Sequence, residues 1–248
     1  MADFIWALSA SFIVSLISLI GIFSLFLKER FLNKVLFLLI GFSAGGLIGG
    51  AFLHLLPEAI EQTKDQIIFI YIILGFASFF ILERYLHWRH CHQEGACDVH
   101  AFTYLNLIGD GVHNFTDGLV IGSSFVVNIY FGIITTLVII FHEIPQEIGD
   151  FAVLVYGGFG KVKALFYNYI SSLTCILGTI IGYALSTRVG GFCVFLYPFI
   201  AGGFIYVAAC DLIPELHKES DVNKNTLSLL AFFAGILFIF LARLLPGH

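Results

Sequence analysis

The sequence predicts an all-α membrane protein built from eight transmembrane helices. Three observations carry that expectation. Hydrophobic residues make up 59% of the chain and charged ones only 12%, with a mean hydropathy of +0.96, whereas a soluble domain of this size needs a charged surface. The apolar residues come in runs long enough to cross a bilayer core of roughly 30 Å. Within hydrocarbon, backbone groups must pair inside their own segment, so runs of this length are helices.

The eight spans are expected at 3–27, 34–56, 66–86, 101–124, 129–157, 162–186, 190–213 and 225–245, in a single transmembrane domain over 1–248. The first lacks a positive start and runs too long for the core of a signal peptide. Its charges (Lys28, Glu29, Arg30) follow it, so it reads as a span and not as a cleaved leader.

Orientation follows from the basic residues. The connections after spans one, three, five and seven hold Lys28, Arg30, Lys34, Arg84, Arg89, Lys161, Lys163, Lys218 and Lys224, against Lys64, Arg188 and Arg243 on the other side. The positive-inside rule then puts both termini outside and the loop 87–100 in the cytoplasm. The cell (plasma or inner) membrane is the expected location. The net charge of −5 carries no basic stripe, which argues against nucleic acid as a partner.

The five cysteines do not form a disulfide framework. Cys175, Cys193 and Cys210 fall in spans, where a thiol acts as a small hydrophobe. Cys91 and Cys97 fall in the loop assigned to a reducing compartment. In "GFSAGGLIGG", Gly41, Gly45 and Gly49 repeat every fourth residue, as do Gly46 and Gly50. That spacing lets membrane helices approach closely and would make span two central to the bundle; the abundance of glycine in membrane helices explains it equally well.

The polar residues inside the spans set the functional question. In "GDGVHNFTDGLVIG" of span four, Asp110, His113, Asn114 and Asp117 share one helical face. In "FHEIPQEIGDF" of span five, His142 and Gln146 lie on one stripe with Glu143, Glu147 and Asp150 beside it. A charge near the bilayer centre costs about 2.5–3.5 kcal/mol even on the mild insertion scale. These groups must therefore face each other, a water-filled path or an ion.

A metal ion uses them all. Imidazoles and carboxylates three or four residues apart supply half a coordination sphere for a divalent transition ion, and two facing helices complete it. Asp117 and Glu143 would balance the charge of the ion, His113 and His142 would supply nitrogen, and Asn114 and Gln146 neutral oxygen. The alternative is a hydrogen-bond network without an ion. Pro145 cannot donate to the carbonyl of Phe141, so a kink is expected there, with the freed carbonyl lining a cavity.

"HNFTDG" followed by "HEIPQEIGDF" resembles the fourth- and fifth-span signatures of the ZIP family of divalent metal transporters, in particular its subgroup with a HEIPHE-type fifth span. "AFLHLLPEA" and "AGGFIYVAACDLIPEL" resemble ZIP segments of spans two and seven, so the likeness covers all eight spans. It implies a 3+2+3 arrangement, with the first and last three helices related as an inverted pseudo-repeat around spans four and five. The segments His54–Glu58 and Asp211–Glu215 are the visible repeat partners.

The resemblance further implies transport of a divalent metal ion, Zn²⁺ first and Fe²⁺, Mn²⁺, Cd²⁺ or Co²⁺ as others, into the cytoplasm. The ion is substrate, with no cofactor, and the state expected in the bilayer includes a homodimer. Its ligands fall on His113, Asn114 and Asp117 and on His142, Glu143 and Gln146. Two departures stand out. Gln146 replaces the histidine or glutamate of relatives, and residues 162–186 contain no Asp or Glu, which argues against a two-metal site.

Other polar residues carry two readings each. His54 and Glu58, like Asp211 and Glu215, are part of the path or interfacial pairs. Asp110 and Asp150 gate a mouth or are hydrated helix ends. Two other functions compete with transport. "HEIPQ" approaches the zinc-protease pattern H-E-x-x-H, but Gln146 takes the second histidine's place and proline disturbs the helix; no enzyme is expected. A metal sensor without transport is the other, against which eight spans with a polar centre favour translocation.

The loop "HWRHCHQEGACDVH" gathers His87, His90, Cys91, His92, Cys97 and His100, with spacing that matches no closed zinc-finger template. It reads as a weak metal-collecting or sensing loop, or as a plain linker. Replacing all six by Ser should leave flux into liposomes measurable while metal bound per chain falls. Complete loss of flux in a folded mutant would put the loop on the path.

Overall fold

The computed structural model describes residues 2–24, 29–88, 99–219 and 221–244, and among these every regular element is a helix. Span one runs as Ala2–Ile17, a 3₁₀ turn at Ser18–Ile20 and Gly21–Ser24. Span two is Glu29–Gly49, a π-helical turn at Gly50–Leu55 and Leu56–Gln62. Span three is Ile67–Trp88, span four Val99–Val127 and span five Ile129–Tyr156. Span six is Lys161–Ser172 and Thr174–Arg188. Span seven is Phe192–Tyr206, a π-helical turn at Val207–Leu212 and Ile213–Leu216, and span eight is Val222–Arg243.

All eight expected spans are helices, with three departures in detail. Span two continues to Gln62 instead of stopping at 56. Span six is not one helix: it breaks at Leu173, where Thr174 Oγ1 reaches the carbonyl of Ser171 at 2.7 Å. Hydroxyls that compete for helix carbonyls bend or interrupt the ladder. Seven of the eight qualify as membrane spans by length and composition, and Val99–Val127 is the one too polar to do so. The loop at 87–100 lies outside the described side chains, with 89–98 outside the described residues altogether.

Local signals fix the ends. Asn128 caps span five by accepting from the Phe131 amide at 2.7 Å, and Asp221 caps span eight through the amides of Asn223 and Lys224. Such caps satisfy amides that have no partner within the helix. Gly191, with φ of +78°, makes the left-handed turn into span seven that a side chain would resist.

The helices pack as two groups, spans one, four, five and six in one and spans two, three, seven and eight in the other. The glycines explain how closely they pack. A Cβ at Gly45 of span two would lie 1.9 Å from the carbonyl oxygen of Phe232 in span eight, and one at Gly235 2.2 Å from that of Phe42. The same contact recurs between spans three and seven: Gly202 against the carbonyl of Ile72 at 2.1 Å, and Gly75 against that of Phe199 at 1.8 Å. Spans four and six repeat it through Gly118, Gly122, Gly178 and Gly182. Span two therefore owes its place to contact with span eight, and not to glycine abundance alone.

These contacts come in matched pairs because the chain repeats itself. Ala44-Gly45-Gly46 matches Ala201-Gly202-Gly203, the two π turns match, and Pro57 matches Pro214 in the same register. Ser15 and Ser172 are 157 residues apart in that register too, and they bond each other reciprocally: each hydroxyl donates to the other's carbonyl, at 2.9 and 3.0 Å. A reciprocal bond between equivalent residues is what a pseudo-two-fold axis passing between them produces. Equivalent spans are five crossings apart, so they run in opposite directions through the membrane. The arrangement is the inverted 3+2+3.

Gly45→Leu should push spans two and eight apart at a cost of about 1–3 kcal/mol. Thermal unfolding in detergent would register the loss. Gly46→Ala, where a Cβ meets nothing within 4 Å, should leave the midpoint unchanged or raise it.

Candidate metal centre

Spans four and five lie against each other, and their facing stripes bring four donors together. One ligating atom each from His113, Asp117, His142 and Glu143 lie within 4.8 Å of one another. His142 Nε2 is 3.1 Å from Asp117 Oδ2 and 3.2 Å from His113 Nε2. His113 Nε2 is 3.3 Å from Glu143 Oε1. His142, Asp117 and Glu143 are buried, with His113 slightly open.

The hydrogen bonds around the cluster favour a cation within it. His142 Nδ1 is 3.1 Å from the Val138 carbonyl, which can only accept, so Nδ1 donates. In the neutral ring that leaves Nε2 with its lone pair turned on the cluster, the arrangement by which metal-binding histidines are oriented. Glu143 Oε1 is buried and receives no hydrogen bond. An acceptor nitrogen and an unpaired buried carboxylate oxygen repel unless positive charge lies between them.

The other two expected ligands have buried oxygens without a hydrogen-bond partner. Asn114 is fully buried, but its amide nitrogen donates to Asp110 Oδ1 at 2.7 Å one turn back, and its Oδ1 has no hydrogen-bond partner. Gln146 lines the wall of a cavity of about 230 Å³, its Oε1 buried and without a hydrogen bond.

That cavity connects the cluster to one face of the molecule. His113 lines it together with Glu83, Asn106, Asp110, Asp150 and Asp211. Asp110 and Asp150 thus share one mouth, and neither is merely a hydrated helix end. Asp211 joins them. Glu83 receives a hydrogen bond from the Tyr206 hydroxyl, and Asp150 one from Asn106 at 2.8 Å.

The other side of the cluster is filled. Val138, Ile139, Phe131 and Tyr197 are buried there. His54 is buried as well, bonded to Thr135 Oγ1 at 2.8 Å and stacked on Phe131 at 4.0 Å. Thr135 in turn donates to Ser124 Oγ at 3.0 Å. His54 therefore belongs to the packed interior and is no interfacial partner of Glu58, which accepts from Gln62 at the exposed end of the helix.

Pro145 lies inside a helix that runs continuously from Ile129 to Tyr156. The freed carbonyl of Phe141 does not face a cavity, since Ser43 Oγ donates to it at 2.5 Å. A second polar pair escaped the sequence reading. Glu147 and Asn168 are both fully buried, with the amide of Asn168 donating to Glu147 Oε2 at 2.5 Å. The signal available was a lone asparagine in the apolar run "FYNYISSL".

The fold and site define an integral membrane protein with histidine and carboxylate donors gathered inside its bundle. Comparison with known proteins gives the family. The family model described as "ZIP Zinc transporter" matches residues 4–100 and 89–243. The zinc transporter ZIP13 of Pongo abelii is 35% identical over 223 residues, covering 83% of this chain and 66% of that protein. The zinc transporter zipt-7.1 of Caenorhabditis briggsae is 34% identical over 248 residues, covering 75% of this chain and 63% of its own length. The human zinc transporter SLC39A7 is 28% identical over 299 residues, with 84% and 64% covered. The chain belongs to the ZIP zinc transporter family, and it spans about two thirds of the length of these relatives.

Asn168→Leu should remove the donor from a buried carboxylate and cost about 1–3 kcal/mol. A lowered unfolding midpoint in detergent is the expected result, and an unchanged midpoint would show that Glu147 does not depend on this bond.

Proposed function

We propose that this protein carries divalent transition-metal ions, Zn²⁺ first, across a membrane and into the cytoplasm, through a site formed by His113, Asp117, His142 and Glu143. The convergence of those four donor atoms within 4.8 Å is the observation that carries the reading. Two carboxylates balance one divalent charge. Two imidazoles tilt the site toward borderline-soft ions and away from Mg²⁺ or Ca²⁺, which prefer oxygen, and four donors suit the tetrahedral preference of zinc. Asn114 and Gln146 are the reserve ligands, each with a buried side-chain oxygen that receives no hydrogen bond.

Direction rests on the distribution of basic residues. The cavity opens at the ends of spans three, five and seven, on the side whose connections hold the excess of Lys and Arg. By the positive-inside rule that side is cytoplasmic, and both termini are outside. An ion leaving the cluster through this cavity passes walls carrying Asp110, Asp150, Asp211 and Glu83, carboxylates that attract it without holding it. The cell membrane is the proposed location. The inverted repeat supplies the means of alternation, since exchanging the conformations of equivalent spans would close this mouth and open the other.

Purified protein in liposomes, loaded with a metal-sensitive dye and offered Zn²⁺, Fe²⁺, Mn²⁺, Cd²⁺ and Co²⁺ in turn, tests the proposal. Asp117→Ala and Glu143→Ala should each abolish flux and lower Zn²⁺ affinity by about 100-fold or more, because each leaves buried charge uncompensated. His113→Ala and His142→Ala should be less severe. Flux at the wild-type rate in either carboxylate variant would sink the assignment. Zn²⁺ bound by the wild type without any flux would make the protein a sensor.

A further inference from the structure

Phe141 immediately precedes His142 and Glu143, and its carbonyl is the one that Pro145 leaves without an amide partner. Ser43 of span two supplies the missing donor: its hydroxyl lies 2.5 Å from the Phe141 oxygen, and Ser43 itself is 1% exposed. The ring of Phe141 is held as well, edge-on against Phe42 at 4.7 Å and Phe238 at 5.5 Å. Neither Ser43 nor Phe42 belongs to the donor cluster. Span two packs in the other group of helices, so this hydrogen bond ties the helix bearing His142 and Glu143 to the neighbouring group.

We propose that Ser43 is a positioning residue for the metal site: by bonding the carbonyl freed by Pro145, it fixes the turn of span five that presents His142 and Glu143. The inference rests on the reading of the cluster as the site of the transported ion. Loss of the hydroxyl leaves a buried acceptor unpaired, and the turn can relieve this only by shifting the two donors that follow it. A shift of a few tenths of an ångström is enough to loosen a site whose partners sit on another helix.

The chemistry provides its own control. Pro145→Ala restores an amide at position 145, which can bond the Phe141 carbonyl from within the helix, so that Ser43 is no longer required. Zn²⁺ affinity by titration calorimetry and the unfolding midpoint of the metal-free protein should be measured for Ser43→Ala, Ser43→Thr, Pro145→Ala and the double variant Ser43→Ala/Pro145→Ala. Ser43→Ala should weaken Zn²⁺ binding about tenfold, equivalent to about 1.4 kcal/mol, and Ser43→Thr should keep the wild-type affinity. In the Pro145→Ala background, Ser43→Ala should cost nothing by either readout, an interaction that only residues sharing one acceptor would show. Equal losses in both backgrounds, or wild-type affinity in Ser43→Ala, would overturn the proposal. If Ser43→Ala fails to accumulate as folded protein, recovery of folding in the double variant supports it and continued failure refutes it. Should the wild type bind no Zn²⁺ at all, the metal reading falls, while the cycle in unfolding midpoints still decides whether Ser43 and Pro145 act on one carbonyl.

Discussion

Four ionisable side chains inside a membrane must meet each other, and the rest of the structure follows from that constraint. His113, Asp117, His142 and Glu143 come from two helices, and their donor atoms lie within 4.8 Å. Separated, each would face hydrocarbon at a prohibitive cost. Together they still carry more negative than positive charge while the imidazoles are neutral, so their proximity is stable only with a cation or protons among them. Close backbone contacts elsewhere in the bundle hold its spans together, and one cavity reaches His113 of the cluster.

The holding is done by backbone contact. Gly45, Gly75, Gly202 and Gly235 each sit where a side chain would collide with a carbonyl of the facing helix. Lipid gives helices no hydrophobic reason to associate, so close van der Waals packing and interhelical hydrogen bonds must supply it. Because those four contacts obey the internal repeat, one packing solution is used twice, in opposite orientations. Spans four and five pack with spans one and six, one from each copy, where the Ser15–Ser172 bond marks the pseudo-axis. A site at such a position can be reached from either face by equivalent movements of equivalent helices. The present asymmetry follows: an acidic cavity on one side, and His54 packed on Phe131 on the other.

Much of this was legible in the sequence, for reasons that can be stated residue by residue. Spans announce themselves because lipid demands long apolar runs, and the four donors announce themselves because polar residues at helical spacing inside such runs need an explanation. Composition served less well for Val99–Val127, which is the candidate site's own helix and is too polar to pass as a span by hydropathy. Tertiary detail was not legible. Asn114 shares a face with His113 and Asp117, yet its amide is taken by Asp110 one turn away, a local choice that spacing alone leaves open. Asn168 finds Glu147 across two helices, and the break at Leu173 comes from hydroxyls competing for carbonyls, neither of which leaves a periodic trace.

The three prolines near the polar centre show why sequence alone stops there. Pro57, Pro145 and Pro214 each deprive a carbonyl one turn earlier of its amide, and as text they look alike. Spans two and seven respond within themselves: the turn before each proline widens, so that the amides of Leu56 and Ile213 bond five residues back, to Ala51 and Ala208. Such turns recur at functional positions in helices. Span five keeps its α-helical turn and takes the missing donor from Ser43. The difference has a mechanical consequence. A widened turn absorbs its proline without reference to any neighbour, whereas the turn bearing His142 and Glu143 has its geometry set partly by a hydroxyl in the other group of helices. Any relative movement of the two groups must therefore stretch or exchange that bond, and the stretch is transmitted to two of the four donors.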